Sequence, residues 1–329
     1  MARRTNAVLL VLAAAAFLTG WLAFAFATSP GRWALVAHAV AGCALVLLIP
    51  AKSALSRAGV VRRRRGWWLS VLLAALVVVS LAGGFAHSLG APWLPAGLTA
   101  LEFHVGAALA LVPLFLWHVV ARPIRVRPAD LQRRQLLKGG VLLVGAATLY
   151  GLTEATGRVL GWPGARRRFS GSYQVGSDDP GGLPPTQWLL DQVPDVSTEE
   201  WALSAGAHRV PYAQLDAYGD RVRATLDCTG GFYSEHEWHG CLVARLLPVQ
   251  AGASIRVRSV TGYERLFPLQ EAHRLLLATR IDGEPLSAGN GFPVRLVAPD
   301  RRGFWWVKWI EAVDVDGRPY WLQSPFPLH

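Results

Sequence analysis

The hydrophobic rhythm of the chain changes once. Up to about residue 153 the apolar residues come in long runs, and beyond it they come in short alternating ones. The long runs lie at about 7–28, 33–55, 67–89, 98–121 and 138–153. The first four reach the roughly 20 residues that a helix needs to cross the hydrocarbon of a bilayer. The fifth is shorter and rich in Gly and Ala. These runs predict a membrane all-α bundle of four transmembrane helices with a fifth helix as anchor. From 158 to 200, Pro163, Pro180, Gly181, Gly182, Pro184 and Pro185 break the periodicity. That stretch reads as an extended linker docked on a globular domain. Short β-type runs then recur at 201–205, 221–227, 254–260, 274–280, 293–298 and 304–316. They are punctuated by turns at Asp282-Gly283 and Asp316-Gly317 and by one helix around 239–247. The C-terminal part is therefore expected to be a β-rich α+β domain. The expected divisions are 1–125, 126–155, 156–200 and 201–329.

Charge orients the helices. The net charge is +11, but residues 1–155 hold 15 Lys and Arg against 3 acidic residues, while the remaining 18 and 19 nearly cancel. The basic residues cluster at Arg3-Arg4, at Lys52, Arg57 and Arg62–Arg65, and at Arg122, Arg125, Arg127, Arg133, Arg134 and Lys138. The intervening loops, 29–32 and 90–97, hold only Arg32. This is the positive-inside alternation of a multi-pass protein of the cytoplasmic membrane, with its N-terminus inside and its C-terminal domain outside. It accounts for the basic balance without a nucleic-acid partner. Arg133-Arg134-Gln135-Leu136-Leu137-Lys138 resembles a twin-arginine export signal, an address for proteins that cross a membrane already folded. An ordinary positive-inside flank is the alternative. No small-residue cleavage site follows, so 138–153 is treated as a retained anchor.

The chemistry rests on a few residues. Of the three cysteines, Cys43 lies in an apolar run, which leaves at most one disulfide, between Cys228 and Cys241. No CxxC, zinc spacing or CxxCH occurs. Cys228 ends a strand-like run in Thr225–Trp238, TLDCTGGFYSEHEW, where Thr229-Gly230-Gly231 and the pair Phe232-Tyr233 follow. Glycines there let a bulky group approach the backbone. A thiolate so placed is a soft metal ligand or a nucleophile, and a buried structural cysteine is the plain alternative. Cys241 reads as a buried helix residue.

Four histidines, His38, His87, His104 and His118, fall in or at the ends of the apolar runs, where ionisable groups are costly and usually functional. The topology puts His38, His87 and His104 at the outer ends of three helices. Three imidazoles at one depth can grip a b-type haem from two sides, with His38 and His104 as the preferred ligands and His87 as the alternate. Gly42, Gly83, Gly84 and Gly106 would give a flat macrocycle room. His118 lies ~21 Å further along the helix from His104. The spacing would suit two stacked haems, but Lys52, not a histidine, occupies the matching position on the second helix, so one haem near the outer face is expected and a second is left open. In helical pattern the segment resembles the four-helix b-type cytochrome membrane subunits.

Four stretches of the C-terminal part carry a second resemblance. They are Leu203–Leu215, Leu226–Tyr233 with Trp238 and Gly240 before a helix, Asp282–Leu286 leading to Gly291–Pro299, and Arg301–Trp309 before a strand. In order and spacing they resemble the molybdopterin-binding domain of the sulfite oxidase family. The resemblance implies that the Cys228 thiolate is the single protein ligand to molybdenum, with a pterin dithiolene supplying two more sulfurs. It implies cofactor contacts at Thr229, Gly230, Arg295 and Lys308, arginine's fork suiting phosphate. Tyr233 would act in the substrate pocket. His236 would line that pocket too or lie at the surface, and Arg301 and Arg302 are weaker candidates for the phosphate that read more simply as a solvated turn. Two departures stand out. Asn290-Gly291 occupies a position where relatives often have His-Gly. The uncharged run Thr229–Tyr233 lacks the arginine with which sulfite oxidases hold their anion. The expected protein is a membrane-anchored molybdenum oxidoreductase doing oxygen-atom-transfer chemistry on a small molecule. It would exchange electrons with the quinone pool, or another membrane carrier, through a haem. A molybdenum enzyme on a haem-free anchor and a non-enzymatic envelope binding module are the alternatives.

Overall fold

The structure, a computed structural model, describes residues 2–26, 28–62, 66–90, 98–123, 132–187, 192–247 and 252–324. Arg63–Arg65, Arg125, Arg127 and loop 91–97, which carry part of the topology argument, lie outside the described residues. The chain forms two compact units. One comprises Met1–Phe24 and Thr28–Tyr173, the other Gln174–His329 with Ala25–Ala27. The stretch 156–200 is thus shared between them.

The helical unit contains α1 (Ala2–Ala25), α2 (Gly31–Val61), α3 (Trp67–Leu89), α4 (Ala100–Ala121) and α5 (Arg133–Val159). All five are long and apolar enough to cross a membrane. Large apolar side chains cover their outward faces, with Val120 80 % and Val141 73 % exposed, a surface compatible with lipid. The fifth helix is longer than its apolar run, at 27 residues, because its polar ends continue the same backbone hydrogen bonding. The start of α4 is a capping box. Thr99 Oγ1 accepts the Glu102 N–H at 3.2 Å, and the Thr99 N–H donates to Glu102 Oε2 at 2.6 Å. This cap sets the level at which His104 leaves the helix. Within the unit α3 packs on α4 and α2 on α5. Leu12, Cys43, Ala44 and Ala146 close a small core, their size letting the helices approach.

The second unit is built on two sheets. Its strands are β1 (Tyr173–Gln174), β2 (Ala202–Ala205), β3 (His208–Pro211), β4 (Asp220–Asp227), β5 (Phe232–Leu242) and β6 (Ser254–Ser259). After them come β7 (Glu264–Phe267), β8 (Leu276–Ile281), β9 (Glu284–Pro285), β10 (Arg295–Val297) and β11 (Ile310–Asp316). One sheet runs β3-β2-β11-β6-β7. The other runs β1-β5-β8-β10, with β4 paired to β5 and β9 to β8. Asp282-Gly283 joins β8 to β9 with φ of 47° and 87°, the left-handed pair that a tight hairpin needs.

Three expectations are corrected. The expected helix around 239–247 is strand in its first half: β5 runs to Leu242, and only Val243–Leu246 makes a helical turn. Ser234, His236 and Trp238 are buried and Tyr233, Glu235 and Glu237 are not, so the period of two is real but disguised by polar inward residues. Those residues are tolerated because they are bonded: His236 Nδ1 meets Asp282 Oδ2 at 2.5 Å and its Nε2 meets Ser234 Oγ at 2.6 Å. Cys241 is therefore buried on a strand, and it and Cys228 are both free thiols. Finally, the last run begins as a 3₁₀ turn at Gly303–Trp305 and becomes a strand only at Ile310.

Candidate active site and a histidine pair

Strand β4 delivers Cys228 into a tight turn. The Cys228 N–H donates to the Phe232 carbonyl at 2.8 Å and the Gly231 N–H to the Cys228 carbonyl at 3.2 Å. Gly231 has φ of 91°, which glycine adopts without steric cost. Two groups reach the Cys228 sulfur: Thr186 Oγ1 at 3.1 Å and the Gly230 N–H at 3.4 Å. Gly303 packs directly behind, since a Cβ there would lie 3.1 Å from both the Asp227 carbonyl and Cys228 Cα. Arg302 forms a buried ion pair with Asp227, so the turn is held from beneath. Arg301 pairs with Glu271 at 2.5 Å and lies over Trp305 at 4.6 Å. Neither arginine is a solvated turn residue.

Arg295, on β10, is 1 % exposed. Its Nη1 donates to the Asn290 carbonyl at 3.1 Å, and its guanidinium lies over Trp238 at 5.1 Å and Trp306 at 5.6 Å. Its Nε has no partner among the described residues, and no carboxylate is paired with it there. Burial pushes the guanidinium down to about 10, with the negative charge of a Cys228 thiolate working in the opposite direction. A buried cation this poorly compensated fits an anionic group bound beside it. Gly291 brings Arg295 and Lys308 together: with φ of 108°, its added Cβ would stand 2.9 Å from Arg295 Cβ and 3.2 Å from Lys308 Cβ.

Lys308 Nζ donates to the Thr186 carbonyl at 2.6 Å and to the Gly289 carbonyl at 2.7 Å. Thr186 thus touches both the cysteine and the lysine. Sequence reasoning missed it, and the signal was the Pro184-Pro185 pair that ends the linker against the domain. Thr229 is half-buried in the turn, and Tyr233 stands on the face of β5 opposite Ser234 and Trp238. His236 is wholly buried with both ring nitrogens engaged, so it is not a surface residue. Among the described residues, no group of three or more His, Cys, Asp or Glu side chains could hold a metal ion.

In the helical unit the structure brings together two of the three histidines expected at one depth. The His38 and His104 rings lie 5.5 Å apart, centroid to centroid, at 78°. His38 Nδ1 bonds the Ala16 carbonyl of α1 at 2.7 Å, and His104 Nδ1 bonds the Ser80 carbonyl of α3 at 2.6 Å. A carbonyl only accepts, so each ring carries its proton on Nδ1 and presents a lone pair at Nε2. His87 is engaged elsewhere, its Nε2 at 3.1 Å from the Gly171 carbonyl and its ring 5.7 Å from Tyr173. Gly20 and Gly84 make room for the paired rings, because a Cβ would stand 2.7 Å from His38 Nδ1 or 3.1 Å from His104 Nδ1. Gly83 lets α4 approach α3, whereas a Cβ at Gly42 or Gly106 would meet nothing.

Comparison with known proteins bears on the second unit. Residues 191–321 match the family model of the oxidoreductase molybdopterin binding domain. Over 110 residues the chain is 34 % identical to mitochondrial sulfite oxidase of Rattus norvegicus, covering 28 % of this chain and 20 % of that protein. Over 61 residues it is 38 % identical to the NADPH nitrate reductase of Mycosarcoma maydis, covering 18 % and 6 %. The chain thus spans a fifth or less of the length of these relatives. The crystal structure of the sulfane dehydrogenase SoxCD from Paracoccus pantotrophus matches with a TM-score of 0.35 at 20 % identity, over 38 % of this chain and 40 % of that one. The chain therefore joins a unit of five long apolar helices to an oxidoreductase molybdopterin binding domain of the kind found in sulfite oxidase.

Proposed function

We propose that this protein is a membrane-anchored, molybdopterin-dependent oxidoreductase. Its active site at Cys228 would lie outside the cytoplasmic membrane and exchange electrons with the quinone pool, or another membrane carrier, through a b-type haem. The observation that carries the reading is the Cys228 turn set beside a buried, uncompensated Arg295. The residues fit the cofactor. Cys228 would supply one soft ligand, Arg295 and Lys308 would hold the pterin and its phosphate, and Thr229 and Gly230 would border it. When bound, molybdenum supplies two-electron oxygen-atom chemistry. The chain's own part is to keep the thiolate at the turn through the Thr186 and Gly230 contacts, to balance the cofactor's negative charge with Arg295, and to orient the substrate near Tyr233. The uncharged run Thr229–Tyr233 favours a neutral substrate over sulfite. Reduction of a sulfoxide or N-oxide-type group suits an electron supply from the membrane.

The haem would sit on His38 and His104. Metal-ligating histidines characteristically donate their other ring N–H to a backbone carbonyl, as both of these do. The engagement of His87 with Gly171 favours this pair over the alternate.

Metal content of the detergent-purified protein tests both parts. Molybdenum and iron are each expected near one per chain. Cys228→Ser should lose molybdenum and keep iron, and the double variant His38→Ala/His104→Ala should lose iron and its haem absorption band while keeping molybdenum. Full molybdenum in Cys228→Ser would sink the active-site assignment. Iron absent from the native protein would leave a molybdenum enzyme on a haem-free anchor.

A further inference from the structure

The start of α2, the end of α5 and the chain from Ala165 to Phe169 line an open cavity of about 550 Å³. It includes neither Cys228 nor either paired histidine. Four arginines, Arg32, Arg158, Arg167 and Arg168, line it against a single carboxylate, Glu154. Arg167 is tied to Glu154 in an ion pair, and Arg168 lies over Phe169 at 5.0 Å. Arg32 and Arg158 have no ion-pair partner among the described residues. The N-terminal end of α2, a helix of 31 residues, adds the positive pole of its dipole. The cavity thus suits an anion, with Arg32 and Arg158 offering positive charge that no carboxylate of the described residues pairs with.

Its surroundings say which anion. Leu35, Val36 and Phe169 form part of the wall. Next in sequence to Arg32 and Arg158, Trp33 is 73 % and Val159 85 % exposed. Tryptophan at the end of an apolar helix marks the headgroup level of a bilayer, and a bare valine there faces acyl chains. A polar hollow opening onto an apolar flank suits a molecule with a phosphate at one end and hydrocarbon at the other. Its volume is that of a small-ligand pocket. We propose that this cavity is a binding site for the headgroup of an anionic phospholipid, with Arg32 and Arg158 gripping the phosphate. A zwitterionic lipid would bring a second cation into an already positive site. The inference rests on the membrane placement of the helical unit and is independent of the metal assignments.

The test uses the full chain purified in detergent, followed by native mass spectrometry and thermal unfolding. Phosphatidylglycerol, phosphatidylcholine and inorganic phosphate are added separately. Phosphatidylglycerol is expected to stay bound and to raise Tm, and phosphatidylcholine to do neither. Arg32→Ala/Arg158→Ala should weaken phosphatidylglycerol binding about tenfold or more, the loss expected when charge-assisted hydrogen bonds to a phosphate are removed. Arg32→Lys/Arg158→Lys should fall between, with an unchanged Tm before lipid is added. Equal binding of phosphatidylglycerol by native and alanine forms would overturn the proposal. Inorganic phosphate raising Tm as much as the lipid would replace the lipid by a soluble anion and overturn it too. Molybdenum content, expected to be unchanged in every variant, separates this outcome from failure of the active-site reading.

Discussion

Arg295 is the residue on which the active-site reading presses hardest. Its guanidinium is buried, bonds one carbonyl and leaves Nε unpartnered among the described residues. In a protein free of cofactor that charge is a liability, because burial costs more than the aromatic faces of Trp238 and Trp306 return. Arg295→Met should therefore leave the metal-free protein as stable as the native one, or more stable by roughly 1–4 kcal/mol. The same variant should cut molybdenum retention about tenfold or more. Thermal unfolding of metal-free protein, with molybdenum assayed on protein from cofactor-producing cells, checks both. A less stable variant with full molybdenum would make Arg295 a structural residue. At Asn290, Arg295 uses the backbone carbonyl, which any residue would offer, while Asn290 Nδ2 donates to the Leu183 carbonyl at 3.3 Å.

Among the elements, β5 decides the geometry and was the least legible in sequence. Strand β4 shows its alternation openly, whereas β5 buries Ser234 and His236 on the face where apolar residues are expected. Their own bond to each other and the distant partner Asp282 make that burial acceptable, and a local pattern cannot announce the second. Gly240 has a definite task in this strand. It stands at the register shift between His239 and Gly240, where a Cβ would come within 2.0 Å of the Leu277 carbonyl and 2.8 Å of Ala278 Cα. Backbone cannot yield as a flexible side chain does, so Gly240→Ala should cost about 2 kcal/mol or more. Gly317→Ala, where the added Cβ meets nothing within 4 Å, should stay within about 0.5 kcal/mol. Chemical denaturation of the two variants measures the contrast, and similar midpoints would refute it.

For the whole molecule, the proposed membrane placement has a testable sidedness. If the proposed membrane placement holds, the positive-inside rule expects Arg57 inside and the β-rich unit outside. The three native cysteines are buried, so a membrane-impermeant thiol reagent meets little background. In intact cells Glu200→Cys should be labelled and Arg57→Cys should not, both positions being exposed. The reverse pattern would place the molybdopterin domain in the cytoplasm and remove any need for export of a folded domain.

The amino-acid sequence by itself determined that five long apolar helices come first, roughly where they lie, and that a β-rich domain follows them. Run length, period and turn chemistry are local properties, and each is written within a few residues. Tertiary structure alone decided which side chains meet. Thr186 reaches Lys308 across 122 residues and Cys228 across 42, and His38 faces His104 while His87 turns to Gly171. Such meetings depend on strand register and helix packing, which the whole chain sets together and no single stretch encodes.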